Sequence, residues 1–220
     1  MKIFSSSSNY DINLNSSEFE ETVQILSQDV EEIIETGTFN GLGSTTVFAK
    51  TGKPLTTIES CFDHFRQAVF NLKDFTNVKL LWGSSLNVKE MTEFIDADDI
   101  YESDMVLSKS IAVDGSSEGP QSFYKQEIMG FNTNPPTKQD LLIELINNDK
   151  KQLVFLDSAG GVGYLEFQKF MTLEDSKRKN KILLLDDVSH VKHYRSVVFL
   201  KQNKYNVVVS KNKRFAYCIF

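Results

Sequence analysis

The chain has 220 residues, 24 Lys and Arg against 30 Asp and Glu, 40% hydrophobic residues and two cysteines. That length and apolar share suffice to close a core, and a 25% charged share excludes wholesale disorder. A net charge of -6 argues against a general nucleic-acid binder, whose footprint is basic.

Cys61 and Cys218 form neither a disulfide framework nor a metal-ligand spacing, which suits a reducing compartment. The start, Met1-Lys2-Ile3-Phe4 and four serines, lacks the apolar stretch of a signal peptide. No apolar run approaches the ~18 residues of a membrane span, so the expected setting is cytoplasmic, with neither membrane nor nucleic acid as partner.

Residues 1–17 are polar and rich in Ser and Asn, the pattern of a flexible lead-in; a single domain is expected over 18–220. Ser17-x-x-Glu20 has the spacing of a capping box, and Phe19, Val23 and Leu26 then share one helical face. Glu32-Ile33-Ile34-Glu35 predicts a short strand running into Gly37-Thr38-Phe39-Asn40-Gly41-Leu42-Gly43, with a helix over about 44–50 behind it. A second strand is predicted over Leu55–Glu59. An amphipathic helix carrying Phe62, Phe65, Ala68, Val69 and Leu72 follows it. The third strand, Val78–Trp82, closes on Gly83-Ser84-Ser85.

Val88–Ile95 predicts a short helix, whereas residues 96–136 are acidic, rich in Ser and Gly, and without clear periodicity. Thr137-x-x-Asp140 reopens regular structure, with Leu141, Leu142, Leu145 and Ile146 on one face. Leu153–Asp157 and Ile182–Asp186 are nearly continuous apolar strands, followed by helices over about 163–173 and 189–202. The segment from Asn206 to Phe220 reads as a hairpin. Apolar strands alternating with helices predict a parallel sheet covered on both faces. Five such strands and a terminal hairpin make a seven-stranded, doubly wound α/β domain.

In such sheets ligands bind beyond the carboxyl ends of the strands, where strand order reverses. Acidic or small residues close all five predicted parallel strands: Glu35, Glu59, Gly83-Ser84, Asp157 and Asp186-Asp187. Gly37-x-x-x-Gly41-x-Gly43 lets the backbone pass close to a ligand, although a structural turn explains such glycines too. It departs from the dinucleotide fingerprint G-x-G-x-x-G. Glu59 lies 18 residues after Gly41 at the end of the next strand, where an acid can accept hydrogen bonds from ribose hydroxyls.

These residues carry a family resemblance. Ile33-Ile34-Glu35-Thr36-Gly37-Thr38-Phe39-Asn40-Gly41 resembles the first motif of class I S-adenosylmethionine-dependent methyltransferases, apolar-apolar-acid-x-Gly-x-x-x-Gly. The resemblance runs over about residues 18–220. It implies S-adenosylmethionine as cofactor, with Glu35, Gly37 and Gly41 around its methionine end and Asn40 in the same loop. It places Glu59 on the ribose, and Gly83 and Ser84 at the adenine border. Asp157 and Asp186-Asp187 are similar to the metal site of the catechol and sugar O-methyltransferase subgroup, which implies Mg²⁺ between them and a hydroxylated, sugar-like small-molecule acceptor. Helix-capping or solvated acids are the alternative. Many members of that subgroup have Asp-Gly-x-His-x-Tyr after the fourth strand, whereas here Asp157 is followed by Ser158-Ala159-Gly160-Gly161-Val162-Gly163-Tyr164, without the His.

His190 is a candidate base beside Asp157 in catalysis, since imidazole titrates near working pH; a structural role competes, and more strongly for His193. His64 is expected on an exposed helix face, and Trp82 either beside the adenine or in the core. Between the third and fourth strands, Leu86 to Gln152 gives 67 residues where a crossover needs about a dozen or more. Tyr101, Phe123, Tyr124 and Phe131 lie in this insertion, expected to be a lid, a contact between two copies of the chain, or disorder.

Charge is uneven as well: from Ser176 onward there are 11 basic and 2 acidic residues, against 13 and 28 before it. The basic end either steers an anion or is an ordinary solvated surface. The expected function is therefore O-methyl transfer to a small acceptor. A non-catalytic binding or assembly module and a hydroxylase-like relative on the same fold are the alternatives.

Overall fold

The computed structural model describes residues 17–115, 119–130, 136 and 138–220. Seven strands form one sheet: β1 (Glu32–Thr36), β2 (Leu55–Glu59), β3 (Val78–Trp82), β4 (Gln152–Leu156), β5 (Lys181–Asp186), β6 (Val207–Val209) and β7 (Phe215–Ile219). Their order is β3-β2-β1-β4-β5-β7-β6. β1 to β5 are parallel, and β7 inserts antiparallel between β5 and β6. The first three strands step outward one way from β1 and the next two step the other way from β4. The reversal therefore lies between β1 and β4, whose ends are level at Thr36 and Leu156.

Alternation along the strands explains why both faces are covered. Ile33, Leu153, Phe155 and Leu184 point to one face, and Ile34, Val154, Leu156, Leu183 and Leu185 to the other. On the first face, α1 (Ser17–Leu26) and α2 (Ser44–Ala49) bring Phe19 and Phe48 against Phe155 and Phe215. Ring centroids there stand 5.2 to 5.9 Å apart in tilted and edge-on arrangements. The expected apolar face of α3 (Phe62–Asn71) is only partly realised, with Ala68 buried and Val69 exposed. That helix covers the sheet's edge strand β3, where little core exists to bury a full stripe. Trp82 packs there against Phe62 and Phe65, with centroids 4.9 and 6.3 Å away.

The insertion contains regular structure. It folds as α4 (Val88–Ala97), a 3₁₀ turn (Asp99–Glu102), α5 (Asp104–Leu107), α6 (Pro120–Gly130) and α7 (Leu141–Ile146). Ile95, Ile100, Tyr101, Val106, Ile111, Tyr124 and Ile128 join the second core, which explains why the segment holds to the sheet. Asp98 receives both Arg195 Nη groups, at 2.8 and 2.5 Å, which ties the insertion to α10 (Tyr194–Gln202). Asp140 precedes α7 with φ 61° and makes no side-chain capping bond; Thr137, expected to share that cap, and Phe131 fall outside the described residues. After β4 come α8 (Gly163–Met171) and α9 (Asp175–Arg178). The helix expected from about 189 starts only at Tyr194, because Asp187 takes φ 52° and residues 187–193 turn back over the sheet. Among the described residues no helix is long and apolar enough to cross a membrane.

Candidate functional site

A cleft of about 670 Å³ opens above the reversal point. One end is walled by Glu59, Phe39 and His64, the middle by Gly37, Ser84 and Asp157, and the other end by Asp187, His190, Lys192 and Arg214. From the insertion come Met91, Asp114, Phe123, Glu127 and Ile128. The insertion is thus a wall of this cleft.

The glycine turn is built by close approach. Gly37 has φ +81°, and a Cβ there would stand 2.2 Å from the carbonyl oxygen of Asp157. Only glycine lets the loop after β1 meet the loop after β4. Phe39 follows at φ 54°, a conformation uncommon for an aromatic residue, which turns its N–H toward Glu59. Glu59 Oε2 accepts from Phe39 N at 2.6 Å and Oε1 from Cys61 N at 2.7 Å, so the carboxylate pins both loops while lining the cleft. Burial raises its pKa to about 7, although these hydrogen bonds and nearby His64 oppose the shift. His64 is half-exposed at the cleft rim, its ring edge-on to Phe39 at 4.4 Å and its Nδ1 4.0 Å from Glu59.

Glu35 differs from its expected place around the cofactor. It is fully buried beneath the glycine turn, where its carboxylate accepts from Ser44 Oγ at 2.6 Å and Thr57 Oγ1 at 2.7 Å. Desolvation raises its pKa to about 7. Its role is to fasten β1, β2 and the start of α2 together. Asn40 and Gly41 also stand back from the cleft. Asn40 is half-buried, its Oδ1 accepting from Leu42 N at 3.0 Å to close the turn, while a Cβ on Gly41 would meet Leu72 at 2.9 Å. Gly83 and Ser84 do line the cleft, and Gly83 is there because Leu141 presses on it, with a Cβ position 2.2 Å from Leu141 Cδ1.

At the other end the three expected carboxylates do come together. Asp157, Asp186 and Asp187 each offer an oxygen within 4.8 Å of the others. Two cations that the sequence reading left out sit among them. Lys192 Nζ donates to Asp157 and stands 3.5 Å from Asp187 and 3.9 Å from Asp186. Arg214 reaches Asp186 at 2.8 Å and Asp187 at 2.5 Å. Burial works against the Lys192 ammonium, but Asp157, Asp187 and Asp186 outweigh it and hold its pKa above the ordinary lysine value. The site does not fit a divalent metal in this arrangement, since each of the three carboxylates already faces an ammonium or a guanidinium, with Asp186 Oδ1 left without a hydrogen-bond partner among the described residues.

His190 is held in one tautomer. Its Nδ1 accepts from Lys192 N at 3.2 Å, so in the neutral ring Nε2 carries the proton, directed to Asp114 Oδ2 and the Tyr124 hydroxyl, each 3.3 Å away. That arrangement makes His190 a donor and tells against the expected role as base. Asp157, the other expected catalytic residue, is engaged by Lys192. His193 is buried between Leu156 O at 3.1 Å and Ser196 Oγ at 3.2 Å, a structural position. Tyr164 lies on α8 under the guanidinium of Arg195, 4.2 Å from ring centroid to Cζ, and is not among the lining residues.

A further buried acid, Glu166, accepts from Thr36 Oγ1 at 3.1 Å and Ser158 Oγ at 2.6 Å under the β4 loop. Nothing in its helix-internal position signals this. Lys192 was hidden for a similar reason, as one basic residue among eleven in the C-terminal tract. Asp114, Tyr124 and Glu127 lie in the segment without periodicity. Their approach depends on Ala112 pairing with His190, through Ala112 N to Ser189 O and Val191 N to Ala112 O, both at 2.9 Å.

Among solved structures, the chain is similar to cofactor-bound Rv0187 from MTB, with 14% identity over 93% of this chain and 80% of that one and a TM-score of 0.51. The O-methyltransferase from Bacillus cereus in complex with SAH shows 14% identity over 96% and 87%, with a TM-score of 0.49. The O-methyltransferase TomG from Streptomyces achromogenes, in complex with SAM, shows 12% identity over 93% and 80%, with a TM-score of 0.47. No protein-family model and no curated protein matches the chain. The sheet order, the antiparallel seventh strand and the likeness to Rv0187 give the chain a doubly wound, Rossmann-like α/β fold with seven strands.

Proposed function

We propose that the chain is an S-adenosylmethionine-dependent methyltransferase acting on a hydroxyl of a small, neutral acceptor such as a sugar-like metabolite. The observation that carries this reading is the continuous cleft that joins Glu59 and the Gly37 turn at one end to Asp114, Glu127 and His190 at the other. Gly37 lines the cleft with bare backbone, and Glu59 keeps lone pairs beyond its two backbone bonds for ribose hydroxyls. These residues fit S-adenosylmethionine, which when bound supplies an electrophilic methyl carbon.

The rest is alignment and proton management by the chain's own groups. The wall from the insertion, with Phe123, Ile128 and Met91, excludes water from the cleft and restricts the acceptor's approach. His190 Nε2–H, held toward Asp114 Oδ2 and the Tyr124 hydroxyl, fixes the place of that wall. Glu127 lines the same wall with a buried Oε2 that has no hydrogen-bond partner among the described residues. Burial raises its pKa to about 7, which suits it to take the hydroxyl proton near neutral pH. The acceptor end holds five carboxylates (Asp114, Glu127, Asp157, Asp186, Asp187) against Lys192 and Arg214, a balance that disfavours anionic acceptors.

Thermal unfolding with S-adenosylhomocysteine tests the cofactor assignment. A ligand at ~100 times its Kd adds ~2.7 kcal/mol, a rise of roughly 5–10 °C for a chain of this size. An unmoved melting temperature in a folded sample sinks the reading. Where binding is found, the mass of products from a panel of hydroxylated acceptors separates methyl transfer from hydroxylation and from binding without turnover.

A further inference from the structure

Three carboxylates this close repel one another unless positive charge sits among them. A hard divalent ion can supply that charge, with oxygens about 2.0–2.6 Å from it. Here the space is filled from within the chain. The Lys192 ammonium hydrogen-bonds Asp157 and faces Asp187 and Asp186, while Arg214 forks across Asp186 and Asp187 from the opposite side. Every one of the three acids therefore has a side-chain cation, and two of them have both.

Lys192 is also fixed there by packing. It is 5% exposed, and its stem runs against the first residue of α8, where a Cβ on Gly163 would stand 2.6 Å from Lys192 Cγ and 3.0 Å from Lys192 O. Its backbone N–H is held by His190 Nδ1, and its neighbour Val191 is bonded to Ala112 of the insertion. With stem and backbone both held, the head group has little room to swing out and release the carboxylates.

We propose that the Lys192 ammonium is the resident cation of the Asp157–Asp186–Asp187 cluster and that the cluster binds no divalent metal. On the methyltransferase reading, which this statement extends, an acceptor then needs no adjacent pair of oxygens to chelate an ion; a single hydroxyl suffices. Lys192 is a positioning residue, acting through the carboxylates it holds in place.

The test uses Mn²⁺ alone with the full chain, reading free Mn²⁺ by electron paramagnetic resonance and the melting temperature in parallel. With the wild-type chain we expect an undiminished free-Mn²⁺ signal and an unmoved melting temperature. Lys192→Met keeps the volume and removes the charge. Its melting temperature should fall, Mn²⁺ should now be taken up and restore it, and adding Asp187→Asn should abolish the uptake. Mn²⁺ uptake by the wild-type chain that is lost in Asp187→Asn overturns the proposal. So does a Lys192→Met chain that melts like wild type and ignores Mn²⁺. Should Lys192→Met fail to fold, the wild-type titration decides alone. None of these readouts involves S-adenosylhomocysteine, so the outcome is independent of the cofactor test.

Discussion

The two ends of the cleft hold their acids in opposite ways. At the β1–β2 end, Glu35 and Glu59 are buried against neutral donors: two hydroxyls for the first, two backbone N–H groups for the second. At the β4–β5 end, Asp157, Asp186 and Asp187 are buried against an ammonium and a guanidinium. Neutral donors satisfy lone pairs but leave the charge in place, so burial raises both glutamates to about 7. Cations offset part of that cost and tie the three acids into one ionic cluster, although burial still holds Asp157, and Asp186 more strongly, above the usual carboxylate range. The same residue class at the same place in the fold is therefore held by neutral donors at one end and by ion pairs at the other.

The seam between the ends is Gly37, and breaking it should have the largest effect. In Gly37→Ala the new methyl meets the Asp157 carbonyl carbon at 2.7 Å as well as its oxygen, backbone atoms that cannot yield cheaply. Left-handed strain adds to the clash, and we expect a loss of roughly 3–5 kcal/mol in urea unfolding. Gly52→Ala is the control, since it shares a positive φ of 75° but meets nothing within 4 Å. It should cost only about 1–2 kcal/mol. Equal losses in the two variants would mean that the close approach contributes nothing and that the two ends are not mechanically joined at Gly37.

Next in size is the contribution of the β1–β2 end to binding. Glu59→Gln keeps shape but removes the charge, and its amide N–H₂ must face either Phe39 N or Cys61 N, both donors. Charge-assisted hydrogen bonds are worth about 1.5–3 kcal/mol, so affinity for S-adenosylhomocysteine should drop roughly 10- to 100-fold by calorimetry. Unchanged affinity would confine Glu59 to organising the loops.

The difference between the ends also explains what could be read from sequence. Each parallel strand ends within a residue of its expected position because apolar runs and turn residues are local signals. The partners of Glu35 and Glu59 lie 2 to 22 residues away, on the adjoining strand, turn and helix. That proximity is why the glycine turn and Glu59 were legible as a pair. Lys192 is 35 residues from Asp157, and Arg214 is 28 from Asp186 across a hairpin. Spacing alone cannot say that a lysine folds inward, so the triad looked like an acidic site awaiting an ion. Asp114 and Glu127 were less legible still. Their segment has no period, and non-local contacts, core packing and the pairing of Ala112 with His190 among them, bring it to the cleft.

The smallest effect is a pH response assigned to one residue. Glu35 has a folded pKa of about 7 against an ordinary 4.5, and an acid with a raised pKa binds its proton more tightly folded than unfolded. Between about pH 4.5 and 7 the unfolded chain therefore holds fewer protons, and stability falls as pH rises through that window. Over roughly pH 5.5 to 7.5 the share due to Glu35 is on the order of 1–2 kcal/mol. Glu35→Gln carries no titrating group, and its amide can still meet Ser44 and Thr57, whose hydroxyls both donate and accept. The variant should lose that share of the slope and keep the rest, because Glu59 and Glu127 titrate in the same direction. A Glu35→Gln chain whose stability falls with pH as steeply as wild type would show that the two hydroxyl bonds keep Glu35 as readily ionised in the folded chain as in the unfolded one, and the proton-linked part of the β1–β2 end would then rest on Glu59 alone.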